Sequence, residues 1–94
     1  MYVNQIVWLD YIVDKLESKH SVSTEEVEEI LYGKVKVRKI ARGDVDGEDL
    51  YLALGQTGTG RYLAVFLVLK RNQIVLPISA RDMDDKERRL YGCK

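Results

Sequence analysis

Apolar positions in the first third of the chain recur at helical spacing. Ile6, Leu9, Val13, Leu16 and His20 lie three or four residues apart and share one helical face. Asp10, Asp14, Glu17 and Ser18 fall mostly on the opposite side. A second, shorter helix is expected from Ser23, because Ser23-Thr24-Glu25-Glu26 has the spacing of a capping box. Glu25, Glu26, Glu28 and Glu29 occupy its early turns, where the helix dipole favours negative charge. Val27, Ile30 and Leu31 supply its buried stripe, and Gly33 its stop.

The middle of the chain changes period. Between Lys34 and Arg42, Val35 and Val37 alternate with Lys36 and Arg38, and Leu50, Leu52 and Leu54 alternate with Tyr51 and Ala53. Asp44-Val45-Asp46-Gly47 between these segments is turn chemistry, since Asp-Gly accepts the positive φ of a hairpin. Gln56-Thr57-Gly58-Thr59-Gly60 is a second turn. Tyr62 to Leu69 is apolar on both faces, as a central strand requires. Arg71-Asn72 turns the chain into Ile74 to Ser79, where Pro77 favours an edge or a bulge because it cannot donate to a ladder. Asp82 is expected to cap a last helix running to about Tyr91 and ending at Gly92. The expected fold is α+β in the order ααββββα: a four-stranded antiparallel meander with its helices packed on one face.

Composition narrows the functional classes. The chain has 94 residues with 15 Lys+Arg against 15 Asp+Glu, so a single domain spanning residues 1–94 with no overall field for nucleic acid is expected. No run of about 18 apolar residues could span a membrane, and Met1-Tyr2-Val3-Asn4 lacks the basic start of a signal peptide. One cysteine, Cys93, cannot form an internal disulfide, which agrees with a cytoplasmic setting. Gly55-Gln56-Thr57-Gly58-Thr59-Gly60 lacks the Lys-Ser/Thr of a phosphate loop. A single His and a single Cys cannot make a zinc site, so neither a metal nor another cofactor is expected. A triad built on His20 and Cys93 is equally out of place, and no basic recognition helix suggests operator binding by this chain itself.

Local charge is more informative. Lys34, Lys36, Arg38, Lys39 and Arg42 fall within nine residues that contain no acid, and Asp44, Asp46, Glu48 and Asp49 follow. The two blocks either pair across a hairpin, or the basic strand tracks a phosphate backbone or an acidic partner. The segment from Ser79 to Tyr91 places Glu87, Arg88 and Tyr91 at helical contact spacing, with Arg81 where strand meets helix. Arg, Glu and Tyr are side chains that metal-free RNA cleavage can use, to move protons and to stabilise the phosphoryl transition state. Spacing alone favours a plainer reading, an amphipathic helix with Met83 and Leu90 buried. His20, likewise, reads first as a helix-end residue beside the core.

Ile78-Ser79-Ala80-Arg81 followed by Glu87-Arg88 and Tyr91 resembles the C-terminal signature of the BrnT family, small toxins of bacterial type II toxin–antitoxin pairs with a RelE-like fold. Trp8 and Asp10 resemble its early Trp-Asp element, Lys19-His20 with Val22 and Glu25-Glu26 its Lys-His-Gly-Val segment, and Gly60-Arg61-Tyr62-Leu63 its Gly-Arg. Ser21 stands where the family has Gly, and Leu9 separates Trp8 from Asp10. The resemblance implies a ribonuclease that halts translation by cutting RNA, free or on the ribosome. It also implies a cognate DNA-binding antitoxin that covers the toxin in an oligomeric complex. By the same resemblance Arg61, Arg81 and Arg88 would contact phosphate, Glu87 or His20 would assist proton transfer, and Tyr91 would stack on a base or donate its hydroxyl. Glu87 could equally serve to orient Arg81 or Arg88. Lys36, Arg38 and Arg42 of the basic strand are the RNA-binding candidates. The alternative is a catalytically inactive BrnT-like module that binds a protein partner.

Overall fold

The computed structural model describes residues 2–42 and 48–92. Two helices come first, as the periodicity predicts: α1 (Asp10–His20) and α2 (Thr24–Tyr32). The first begins later than expected. Ile6 belongs instead to a two-residue strand, β1 (Gln5–Ile6), and the fully buried positions of α1 are Ile12 and Leu16. Val13 and His20 are half-buried. Ser21 ends α1 in the left-handed conformation (φ 52°, ψ 40°). The capping box of α2 forms as read: Ser23 Oγ accepts from Glu26 N at 3.1 Å and Glu26 Oε1 from Ser23 N at 3.0 Å. Gly33 stops the helix in extended backbone, where a Cβ would lie 2.9 Å from the Glu29 carbonyl oxygen.

The sheet is larger than the four-stranded meander expected. Four antiparallel strands, β2 (Lys36–Ala41), β3 (Asp49–Gln56), β4 (Tyr62–Lys70) and β5 (Ile74–Asp82), are joined by β1, which runs parallel to the start of β5. The order is β1-β5-β4-β3-β2, so the sheet is mixed and β1 and β2 are its outer strands. The four-stranded antiparallel, RelE-like arrangement gives way because two residues carry no readable periodicity, while Asn4 N and Val7 N still bond to Gln73 O and Val75 O at 2.9 Å. Pro77 sits at a bulge. Pairing passes from Phe66–Ser79 to Leu67–Pro77, and the skipped Ile78 offers its carbonyl to Lys15 Nζ at 2.8 Å. The turn read at Asp44–Gly47 and the terminal Cys93 lie outside the described residues.

The helices do not all pack on one face. α1 and α2 cover one side, where Leu16, Val22, Val27, Ile30 and Leu31 meet Ala53, Leu63, Val65 and Leu67 in the main core. Helix α3 (Asp85–Tyr91) covers part of the other side, over a smaller cluster of Leu52, Leu54, Ala64 and Met83 flanked by Tyr62, Phe66 and Tyr91. The strand pattern explains the split: Leu50, Leu52 and Leu54 point away from the α1–α2 layer and need a cover of their own. Asp82 is not the cap of this helix. It closes β5, and Asp84 caps α3, accepting from Glu87 N at 2.8 Å while Glu87 Oε1 accepts from Asp84 N at 3.0 Å. Leu90, expected inside, is 44% exposed, and the residue of α3 that is buried is Glu87.

Candidate functional site

Cross-strand register sets the surface beneath and beside α3. Residues directly opposite one another share a face. The rows Lys36–Leu54–Ala64–Arg81 and Arg38–Leu52–Phe66–Ser79 therefore all point to the α3 side. Helix α3 adds Arg88 and Tyr91 to it. The Arg88 guanidinium lies 4.8 Å above the Tyr62 ring, and Tyr62 meets Tyr91 edge-to-face at 6.1 Å. The Arg81 guanidinium lies 5.4 Å from the centre of Phe66. Each stack contributes on the order of 0.5–1 kcal/mol and holds a long side chain in one place without neutralising it.

Arg81 is further fixed by a fork. Its Nη1 and Nη2 donate to Glu87 Oε1 at 2.6 Å and Oε2 at 2.9 Å, and Nη1 also reaches Asp82 O at 3.2 Å. The Glu87 hydrogen bonds hold the Arg81 guanidinium above its ordinary pKa, so it stays charged under all accessible conditions. Glu87 Oε1 serves both Arg81 and the α3 cap, and Oε2 serves Arg81. That geometry orients Arg81; it leaves little of the carboxylate to act as a base.

Arg61 and His20 lie elsewhere. Arg61 binds Asp82 Oδ1 through Nε at 2.7 Å, Ser21 O and Glu26 Oε1 through Nη1 at 2.7 and 3.2 Å, and His20 O through Nη2 at 3.2 Å. All three guanidinium nitrogens are occupied in clamping the α1–α2 junction to the ends of β4 and β5. The Asp82 hydrogen bond raises the Arg61 pKa. Glu26 is lowered first by the Ser23 backbone N–H and then by Arg61, and Asp82 is lowered by Arg61. The sheet thus separates the residues proposed for catalysis. Arg81, Glu87, Arg88 and Tyr91 share the α3 side with Lys36 and Arg38, whereas Arg61 and the half-buried His20 belong to the α1–α2 junction. Arg42 lies just past the end of β2 and is exposed.

Sequence reasoning missed Tyr62 and Phe66, the aromatic platforms under the two arginines. Their signal was the two-residue spacing Tyr62-Ala64-Phe66 on the face opposite Leu63 and Val65, hidden in a strand that is apolar throughout. Between β2 and the end of α3 the surface opens into a cleft of about 170 Å³ lined by Lys36, Val37, Arg38, Leu52, Leu54 and Leu90. Lys36 Nζ crosses it to donate to the Leu90 carbonyl at 3.1 Å. Among the described residues no cluster of His, Cys, Asp or Glu is arranged to hold a metal ion, and no helix is long and apolar enough to cross a membrane.

Among the described residues, three α-helices and a five-stranded mixed sheet define a small α+β domain whose α3 side carries two arginines stacked on aromatic rings. The family described as "Ribonuclease toxin, BrnT, of type II toxin-antitoxin system" matches residues 13–87. The chain therefore belongs to the BrnT family of ribonuclease toxins. The crystal structure of the Brucella abortus ribonuclease toxin BrnT is similar in fold, with a TM-score of 0.59 at 18% identity, covering 86% of this chain and 97% of that one. No match was found among curated proteins.

Proposed function

We propose that the chain is a metal-free endoribonuclease toxin that inhibits translation in the cytoplasm and is neutralised by a cognate DNA-binding antitoxin within an oligomeric complex. The observation that carries this reading is the pair of stacked arginines, Arg88 on Tyr62 and Arg81 on Phe66, on the same side of the sheet as Lys36 and Arg38. In such a reaction the RNA 2′-oxygen attacks the adjacent phosphorus as its proton passes to solvent water, charge builds on the phosphoryl oxygens, and the bond to the 5′-oxygen breaks as that oxygen takes up a proton. Arg88 is exposed and joined to no carboxylate among the described residues, so it is the group placed to meet that charge. Arg81, held by Glu87, supplies a second fixed cation. The Tyr91 hydroxyl or ring serves a neighbouring base or the leaving oxygen. Lys36, Arg38 and Arg42 guide the flanking strand, free or on the ribosome. Arg61 and His20 act structurally in this scheme.

Arg88→Ala removes an exposed guanidinium and should lower RNA cleavage per folded molecule, measured with chelator present, by about 10²-fold, while loss of the Tyr62 stack lowers the unfolding temperature by only about 2–8 °C. Undiminished cleavage by that variant would refute the assignment. The alternative, an inactive binding module, draws on one observation: Glu87 is engaged by Arg81 and the α3 cap, and His20 belongs to the α1–α2 junction, so neither proton-transfer candidate stands free beside Arg88. Tight binding to the product of a neighbouring gene, with neither growth arrest nor cleavage, would select it.

A further inference from the structure

Strand β2 ends the sheet, and among the described residues nothing pairs with its outer edge. An open strand edge is a row of backbone donors and acceptors ready for another strand. This edge is also strongly basic: Lys39 is already paired with Asp49 of β3 at 2.8 Å, and Lys34, Lys36, Arg38 and Arg42 lie along or beside it with no carboxylate partner among the described residues. The same charges that keep two copies of this edge apart select a segment of opposite sign. Beside the edge, on the α3 side, is the cleft floored by the buried Leu52 and Leu54 and rimmed by the half-exposed Leu90. Its volume, about 170 Å³, is below the roughly 300–1,000 Å³ of small-molecule sites and suits one or two aliphatic side chains. Among the described residues no aromatic ring lines it, so they offer a nucleobase no stacking partner there.

We propose that the β2 edge and this cleft form a docking surface for an extended, acidic peptide segment of a protein partner. The segment's backbone adds a strand to β2, an aliphatic side chain enters the cleft between the Lys36 and Arg38 stems, and its carboxylates meet the basic residues of the edge. This deepens the reading of a toxin held by a partner and rests on it: Lys36 and Arg38 are among the cations assigned to RNA, so an acidic strand there competes with the substrate. Backbone pairing supplies affinity that is independent of sequence, and the cleft together with the charges supplies selection.

The test uses the full chain and three short probes: a peptide of alternating Leu and Glu, the same peptide with Lys for Glu, and oligouridine RNA. In amide and methyl NMR the acidic peptide should move signals of Lys36 to Ala41 and of Leu52, Leu54 and Leu90, and slow hydrogen exchange of the outward β2 amides. Arg38→Glu, an exposed edge change that leaves the core intact, should weaken that binding by about tenfold. The RNA should perturb Tyr62, Arg88 and Tyr91 together with the Lys36 and Arg38 side chains, and leave the Leu52, Leu54 and Leu90 methyls and the exchange of the outward β2 amides unchanged. No β2 or cleft shifts at about 1 mM peptide, equal binding of the Lys peptide, or RNA occupying the cleft as tightly would each overturn the proposal. Cleavage by the free chain is scored separately. Its absence refutes the ribonuclease reading with the peptide shifts in place, and its persistence without those shifts refutes only the docking surface.

Discussion

Replacing Arg61 with Met distinguishes a clamp from a catalytic group. Methionine keeps much of the apolar stem and deletes the guanidinium. The loss can be worked from its partners. Asp82 is 67% exposed, so that ion pair contributes little, whereas Glu26 is 26% exposed and its pair falls near the upper end for surface contacts, about 0.5–1 kcal/mol. The His20 and Ser21 carbonyls each lose a charged donor, adding about 0.5–1 kcal/mol apiece after allowing for solvent that can replace it. Glu26 keeps its bond from the Ser23 backbone N–H, so the α2 cap survives. The sum is about 2 kcal/mol, which in a domain of this size lowers the melting temperature by about 8–16 °C. Thermal unfolding followed by circular dichroism measures it, and RNA cleavage is then compared per folded molecule at a temperature where both proteins are native. Arg61→Met should lose stability and keep most of its cleavage. Loss of cleavage by about 10²-fold without loss of stability would show that Arg61 handles phosphate, and the clamp argument would fail.

Two further outcomes follow from the same junction. Ser21 holds φ 52°, a conformation that costs a residue with a Cβ roughly 1 kcal/mol. Ser21→Gly should therefore raise stability by up to about 0.5 kcal/mol net of the added unfolded-state freedom, seen as a higher urea midpoint at unchanged slope. Glu26 and Asp82 have lowered folded-state pKa values, so the stability they add is complete above the ordinary carboxylate values and is lost as pH falls through the lowered ones. Acid titration of the unfolding midpoint should show that loss below about pH 4, with a shallower acid limb in Arg61→Met than in the parent chain.

The legible parts of the fold were those written in local chemistry. The Ser23–Glu26 capping box needs residues three apart, and it forms with both reciprocal bonds. The same rule placed the cap of α3 two residues early at Asp82, because Asp82 and Asp84 offer the same side chain and only tertiary structure engages Asp82 with Arg61. Strand β1 was illegible because it is stabilised by pairing with β5 at a separation of 69 positions, Gln5 to Ile74, and not by any periodicity. The position of α3 was written in the alternation of β3, whose two faces are both apolar, although the helices were expected on one face only. Within the candidate site, Arg81, Glu87 and Arg88 were found through their spacing and family resemblance. Tyr62 and Phe66 were not, since a platform is recognisable only once the cation above it is placed.

Net charge zero conceals a division of labour between the two sides of the sheet. Three of the four glutamates early in α2 are internal ties: Glu26 to Arg61, Glu28 to the Trp8 indole N–H at 3.0 Å, and Glu29 to Gly58 N at 3.0 Å. Those acids fasten the helical layer to the sheet and do not oppose the cations on the far side. There Lys36, Arg38 and Arg88 have no carboxylate partner among the described residues, while Arg81 is matched by Glu87. Binding of single-stranded RNA at this side should release counterions for about three phosphate contacts, giving a slope of log affinity against log salt near −2. Removing one contact with Arg38→Gln should reduce the slope by about 0.7, whereas Arg61→Met should leave it unchanged. Fluorescence anisotropy across a salt series, with a variant that binds RNA but does not cut it, measures both. A slope indistinguishable from zero would mean that the three cations do not track the phosphates, and a reduced slope in Arg61→Met would place the RNA path on the α1–α2 side.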